Sequence, residues 1–199
     1  MPLDDLATFE LIRSARTLGV NQLESPGQME LVGKLQPEVF NDLTVKISLL
    51  PRPYAEQHAP ALPAGPARHG EVAPDYLHPR FEPILRGTMG VVIFHEQVMR
   101  LFDELTGCEL GRADVLRRHL GKPADLPRIE AFVQKHTLKR GFPPVGISQV
   151  WQVLAGFGSF GFAKAHGAAF ALPTHQSAWL KVHHPAEFLA GLLVLDPGM

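Results

Sequence analysis

A single cysteine in 199 residues leaves no partner for an internal disulfide and too few thiolates for a cysteine-based zinc site, so Cys108 reads as a small buried hydrophobe. No apolar run is long enough to cross a bilayer, and the opening MPLDDLATFE is acidic and polar where a secretory leader would be basic and then apolar. A cytoplasmic protein with no membrane partner is the resulting expectation. Charge of one sign is also missing: the formal net charge is −1, which gives no overall signal for a polyanion. The ten histidines form no His-x-x-x-His pair beside a Glu, so a zinc site of metalloprotease type has no support. No Asp-x-Asp pair occurs either: Asp4-Asp5 suits a helix start, and Asp42, Asp75, Asp103, Asp114, Asp125 and Asp196 are scattered.

The chain nevertheless has the apolar content of a folded module, 45%. Its charge is unevenly spread. From Arg112 to Lys181 the basic residues are Arg112, Arg117, Arg118, Lys122, Arg128, Lys135, Lys139, Arg140, Lys164 and Lys181, against Asp114, Asp125 and Glu130 alone. A local basic face is the footprint a polyanion partner requires, although many such faces are only solvated surface.

The periodicity predicts a mainly α fold with at most short strands. Asp4 to Arg16 has an apolar stripe of Leu6, Phe9, Leu11 and Ile12, with Asp4 or Asp5 as cap and Gly19 beyond the end. Val20 to Leu23 fits a strand or an extended loop. Ser25-Pro26 is a helix start, and a further helix is expected from Pro37 to Leu50. Pro51 to Pro66 is rich in Pro and Ala and reads as a linker. Val91 to Phe94 suits a short buried strand. Next comes a helix opening at His95, with Val98, Leu101, Phe102 and Leu105 as core stripe and Gly107 as stop. Leu110 to Leu120, a solvated basic helix from Asp125 to Arg140, and Ile147 to Phe157 follow. These boundaries divide the chain into a helical part over 1–50, an atypical linker over 51–79 and a helical domain over 80–199.

Unlike chemistries are densest in the last third, GSFGFAKAHGAAFALPTHQSAWLKVHHPAEF, from Gly158 to Phe188. Gly156, Gly158 and Gly161 punctuate Phe157, Phe160 and Phe162, a pattern that permits close backbone approach while the rings anchor the turn. Lys164 and His166 then fall in the first turn of a helix, where free N–H groups and the positive dipole end favour phosphate. The helical step continues through Ala169, Leu172, Gln176, Trp179, Leu180 and His183. Trp151 and Trp179 read as core anchors, and His183 and His184 as surface or helix-end residues. Arg117, Arg118 and Lys122 form a second cationic cluster, with Arg118 and Lys122 four apart on one helix face. Asp114 stands three and four residues before the two arginines and competes for them; one carboxylate is not expected to occupy both.

The run from Gly158 to Pro185 closely resembles the fingers region of C-family bacterial DNA polymerases, the group of the DNA polymerase III alpha subunit and its error-prone relatives. GVNQLES, from Gly19 to Ser25, and GVVIFHEQVMRLFDELTGCELGRADVLRRHLGK, from Gly90 to Lys122, match the same family in the same order. The resemblance lapses after Leu50, where family members carry Arg-Pro-Gly-Pro, and resumes near Arg68. A compensated frameshift and ordinary divergence of a surface loop both account for that gap.

The resemblance implies a multi-helical fingers module that contacts an incoming deoxynucleoside triphosphate and primer–template DNA, with Arg117, Arg118, Lys122, Lys164 and His166 as phosphate-facing residues. It implies no catalytic residue in this chain, since the palm carboxylates that hold Mg²⁺ precede the part covered. A palm-end plus fingers fragment, inactive alone, is therefore expected, with the rest of the polymerase and a sliding clamp as further partners. The alternative of another class is a noncatalytic helical module that binds nucleic acid or protein through its basic face.

Overall fold

The computed structural model describes residues 1–49, 73–159 and 161–195. Most of the linker read over 51–79, together with the lapse in family resemblance, lies outside these residues. Ten α-helices run through the described chain: α1 Leu6–Arg13, α2 Pro26–Leu35, α3 Phe40–Ser48, α4 Glu82–Leu85, α5 His95–Thr106, α6 Glu109–His119, α7 Leu126–Lys139, α8 Pro144–Gly156, α9 Lys164–His183 and α10 Pro185–Leu195. The described residues form two compact units, one of 1–49 with 165–195 and one of 73–164.

In the first unit Asp5 caps α1, accepting from the Thr8 N–H at 2.8 Å and the Thr8 hydroxyl at 2.6 Å. His183 Nε2 lies 3.0 Å from the same carboxylate oxygen. The Thr8 hydroxyl bond, followed by the His183 bond, lowers the Asp5 carboxyl to about 2. Phe9 and Ile12 are buried, whereas Leu6 is 74% exposed, so the apolar stripe is narrower than its spacing suggests. The segment Val20 to Leu23 is a turn rather than a strand, and both end residues are wholly buried. Gly19 holds φ +75° there, and a Cβ on it would run into Leu192. Helix α3 starts at Phe40, three residues after Pro37, because the Asp42 carboxylate accepts from the N–H groups of Glu38 and Val39, both at 2.9 Å.

Helix α9 turns a different side to the core from the one its larger residues mark. Ala169 and Gln176 are exposed, and Leu172 and Leu180 are 41% and 36% exposed. The buried residues are Gly167, Ala171, Thr174, His175 and Ala178. Small side chains let the helix backbone approach α3 closely: a Cβ on Gly167 would strike the Ser48 hydroxyl. Trp179 is half-buried against the rings of His183 and His184, at 4.7 and 5.3 Å, and is not a core anchor.

The second unit is organised on α5. Its stripe of Val98, Leu101, Phe102 and Leu105 is no more than 1% exposed, and Gly107 ends it with φ +67°. Gln97 Oε1 accepts from the N–H groups of Ile93 and Phe94 at 2.8 and 2.9 Å, and its amide donates to Thr88 Oγ1 at 2.6 Å. Val91 to Phe94 forms no strand; it contributes one parallel bridge, Phe94 to Phe162. Helix α7 is not merely solvated, since Ile129, Val133 and Thr137 sink into the core that also holds Trp151 and Leu154. Cys108 is half-buried at the edge of that core.

Candidate functional site

Three segments far apart in sequence meet in the second unit: the start of α5, the end of α6, and the loop from Gly158 to Lys164. Glycine makes the meeting possible. A Cβ on Gly121 would stand 2.7 Å from the Gly158 carbonyl oxygen, and one on Gly158 would overlap the Leu120 carbonyl, so the two backbones touch directly. A Cβ on Gly161 would overlap the rings of His95 and Phe157. The loop is then fixed to the segment before α5, with the His95 N–H donating to Phe162 O at 2.9 Å and the Phe162 N–H to Ile93 O at 3.3 Å.

This arrangement delivers Lys164 to the mouth of α5. Its side chain is exposed, with Nζ 5.7 Å from the centroid of the Phe94 ring. Its backbone N–H donates to both Glu96 carboxylate oxygens, at 3.2 and 3.1 Å. The N-terminus of α9 therefore already holds an anion of its own, and the free N–H at Lys164 expected for phosphate is occupied. Glu96 is a neighbour of Lys164 that sequence reasoning missed; its only local signal was its place in the first turn of α5.

At the end of α6, Asp114 engages both arginines, against expectation. Arg117 directs Nε and Nη2 at Oδ1, at 3.0 and 2.8 Å, while Arg118 directs Nε and Nη2 at Oδ2, at 2.9 and 2.7 Å. Each guanidinium converges on a single oxygen, so the two arginines divide the carboxylate between them. The Arg117 hydrogen bond, then that of Arg118, holds the Asp114 carboxyl below its ordinary value. One negative charge facing two positive ones leaves a net cation, and the Nη1 side of each arginine takes no part in the fork. The Arg117 side chain is 18% exposed and that of Arg118 is 69% exposed, so Arg118 is the more available to a ligand. Burial, and next the nearby Arg117 charge, lower the His95 imidazole from its usual value.

Lys122 is exposed but does not share a helix face with Arg118. Helix α6 ends at His119, and Lys122 sits beyond it with extended φ −111° and ψ 104°, at the entry to a short 3-10 turn. His166 belongs to the first unit, exposed, with its ring edge-on to Phe170 at 4.7 Å. Of the five sequence-derived residues, Arg117, Arg118, Lys122 and Lys164 thus lie in one unit and His166 in the other.

Two further titratable groups escaped the sequence reading because both are buried in the first unit. Lys46 is fully buried, with Nζ donating to the Gln22 carbonyl at 3.4 Å and to Gln28 Oε1, and burial lowers its ammonium to about 7. His175 is fully buried between Phe9 and Phe40, and neither ring nitrogen has a hydrogen-bond partner. Among the described residues no group of three His, Cys, Asp or Glu could hold a metal ion, so the donor set for Mg²⁺ is not found in them. No described helix is long and apolar enough to cross a membrane.

Comparison with known proteins matches residues 1–140 to the family model described as the bacterial DNA polymerase III alpha subunit finger domain. The chain is 38% identical to the DNA polymerase III subunit alpha of Pasteurella multocida over 98% of its own length and 17% of that protein. It is 35% identical to an error-prone DNA polymerase of Symbiobacterium thermophilum, covering 99% of this chain and 18% of the relative. To the DNA polymerase III subunit alpha of Escherichia coli K12 it is 34% identical, over 98% of this chain and 17% of the relative. The chain thus spans about a sixth of the curated relatives it matches.

Proposed function

Because this chain belongs to the bacterial DNA polymerase III alpha-subunit finger family, we propose that it acts as the fingers of a DNA-directed DNA polymerase, contacting the incoming deoxynucleoside triphosphate and the primer–template. The observation that supports this reading is the glycine-mediated junction of Gly121 with Gly158, which joins the end of α6, the helix of Arg117 and Arg118, to the segment that leads to Lys164. Lys122 adds an exposed ammonium beyond α6.

Phosphoryl transfer leaves most of the work to positioning and charge stabilisation, with Mg²⁺ and its carboxylates neutralising the reacting oxygens. The described residues supply no such carboxylate cluster. Their contribution is electrostatic: guanidinium and ammonium groups hold the triphosphate tail, Asp114 keeps the two arginines in place until a phosphate competes for them, and Glu96 fixes the Lys164 backbone. The chain alone binds and does not polymerise. The rest of the polymerase, with a sliding clamp, completes the enzyme.

Triphosphate binding to the full 199-residue chain tests this reading. Arg118→Ala combined with Lys164→Ala is expected to weaken deoxynucleoside triphosphate binding at least tenfold, the effect of losing charge-assisted hydrogen bonds worth about 1.5–3 kcal/mol each, with circular dichroism unchanged. Lys34→Ala, on the exposed side of α2, is the control. Equal binding by variant and control would overturn the proposal. Salt-sensitive binding of DNA without any triphosphate effect would favour a noncatalytic nucleic-acid-binding module instead.

A further inference from the structure

Helix α9 is tied unevenly to the rest of the first unit. From Ser177 onward polar contacts hold it to residues 5–21. The Asn21 N–H donates to Ser177 Oγ at 3.1 Å, Lys181 Nζ donates to the Arg16 and Leu18 carbonyls at 3.0 and 2.7 Å, and His183 Nε2 lies 3.0 Å from the Asp5 carboxylate. The earlier half rests on its buried Gly167 and Ala171, with Gly167 set against Ser48 and Thr44 of α3. Between the halves stands Pro173, inside the helix. Proline offers no N–H to the carbonyl four residues back and its ring crowds that group, so the turn from Ala169 to Pro173 lacks a helical bond.

His175 follows this weak turn directly. It is fully buried, its ring centroid 5.6 Å from that of Phe9 on α1 and 6.4 Å from that of Phe40 on α3, and neither nitrogen has a hydrogen-bond partner. The neighbouring Thr174 hydroxyl is spent on the Phe170 carbonyl, at 2.8 Å. A neutral imidazole already leaves one donor and one acceptor unsatisfied in such a place; a protonated one would leave two donors and a buried charge. Packing gives no reason for the residue, since an apolar side chain fills the same space without that cost.

We propose that His175 is an acid-operated release: a proton taken from solvent by its free ring nitrogen drives the turn 169–175 of α9 to open at Pro173, while the half from Ser177 to His183 stays clasped to residues 5–21. Two charges reach the imidazole. Burial lowers it from its ordinary 6.5, Asp5 works against that, and the N-terminal ammonium adds to it. Asp5 is itself engaged by Thr8 and His183. The other charged groups on the neighbouring helices are turned elsewhere. On α1, Glu10 is exposed and Arg13 donates to the Pro37 carbonyl; on α2, Glu30 pairs with Lys34. On α3, Asp42 accepts from the Glu38 and Val39 N–H groups, and Lys46 donates to Gln22 and Gln28. On α9 itself His166 is exposed, and Glu187 of α10 is exposed too. The closed turn therefore resists a proton that the open one accepts, so opening is favoured as pH falls below about 6.5 and is unaffected well above it.

Amide hydrogen exchange of the full chain between about pH 7.5 and about pH 5, corrected for the intrinsic pH dependence of exchange, tests the release. Protection of the amides from Phe170 to Gln176 is expected to fall about tenfold per pH unit below about 6.5. Amides from Ala178 to His183, and those of α5 in the second unit, are expected to change less than about twofold over the same range. In His175→Phe the protection of the 170–176 amides should no longer depend on pH; His175→Met gives the same reading if the larger ring prevents folding. Pro173→Ala restores the missing N–H and should raise protection of these amides at least about threefold at both ends of the range, with the pH dependence kept. Protection that is independent of pH in the wild type would overturn the proposal, as would equal losses in α5, which mean that the whole chain unfolds in acid. A loss undiminished in both His175 variants would remove His175 from it, and unchanged protection in Pro173→Ala would remove the bending point. The device lies within the first unit and does not rest on the polymerase reading, so failure of either test leaves the other standing.

Discussion

The two units of this chain differ in how they treat charge. Residues 73–164 carry twelve Lys and Arg against nine Asp and Glu; residues 1–49 with 165–195 carry five against eight. The basic unit displays its cations, on the α6 end and along α7, and satisfies its buried polar groups, as Gln97 does with Ile93, Phe94 and Thr88. The acidic unit instead buries ionisable groups, Lys46 on neutral acceptors without a carboxylate and His175 without any hydrogen-bond partner. A net charge of −1 for the whole chain conceals both facts. The basic unit carries its cations at the surface, while the acidic unit holds buried groups that tie its stability to pH.

The sharpest way to break the contrast is to take away the glycine junction on which the basic unit depends. Gly158→Ala places a Cβ against the Leu120 carbonyl, a backbone group that cannot rotate aside. The expected loss is about 3 kcal/mol of stability, the upper end of overpacking effects. The two tryptophans make the measurement local, since Trp151 lies in the basic unit and Trp179 in the acidic one. In a Trp179→Phe background the denaturant midpoint read from Trp151 should fall sharply. In a Trp151→Phe background the midpoint read from Trp179 should move much less. Equal shifts would mean that the two units do not unfold separately and would remove the contrast.

Next in size is the acidic unit's dependence on pH. Burial lowers the His175 imidazole from 6.5, opposed by the Asp5 charge and reinforced by the N-terminal ammonium. The folded state resists the proton that the unfolded chain accepts, so the His175 contribution is complete above about 6.5 and is lost as pH falls below it. Lys46, lowered by burial from 10.5 to about 7, has the same sign in a higher window: stability falls as pH drops from 10.5 to about 7 and then levels. His175→Phe should flatten the acid-side loss seen by Trp179, and Lys46→Met should flatten the alkaline window while raising stability near neutral pH, by on the order of 2 kcal/mol. Wild-type midpoints independent of pH between 5 and 10 would count against both assignments.

What was legible in the sequence follows the same division. Helix α5 could be read almost to the residue, because Val98, Leu101, Phe102 and Leu105 give a strong helical period and Gly107 marks the stop. The buried side of α9 could not, because Gly167, Ala171, Thr174 and Ala178 carry little hydrophobic signal; their smallness serves close approach to α3. For the candidate site, Arg117, Arg118 and Lys164 were visible as residue types, but the contacts that tie their segments together, Gly121 with Gly158 and Phe94 with Phe162, are encoded by no local spacing. Lys122 was placed on the wrong geometry because α6 stops three residues before it. Glu96 was overlooked because its partner, the Lys164 N–H, is 68 residues away.

The smallest expected effect sharpens the charge contrast inside the basic unit itself. Asp114 occupies the two guanidinium groups, and Glu96 the Lys164 N–H, that the proposed function assigns to phosphate, so on that proposal relieving one should improve triphosphate binding. Asp114→Asn keeps the shape of the side chain and removes the charge, which leaves Arg117 and Arg118 without their shared counterion. Surface pairs of this spacing stabilise a helix by only about 0.2–0.5 kcal/mol each, so stability should fall by less than 1 kcal/mol. Triphosphate affinity should rise two- to fivefold, because two guanidinium groups no longer have to leave a carboxylate before reaching the ligand. Arg118→Ala in the Asp114→Asn background should cancel most of that gain. Unchanged or weaker triphosphate binding by Asp114→Asn, with the fold intact, would instead make Asp114 the residue that aims the arginines, and the carboxylate would then be part of the binding geometry and not a competitor for it.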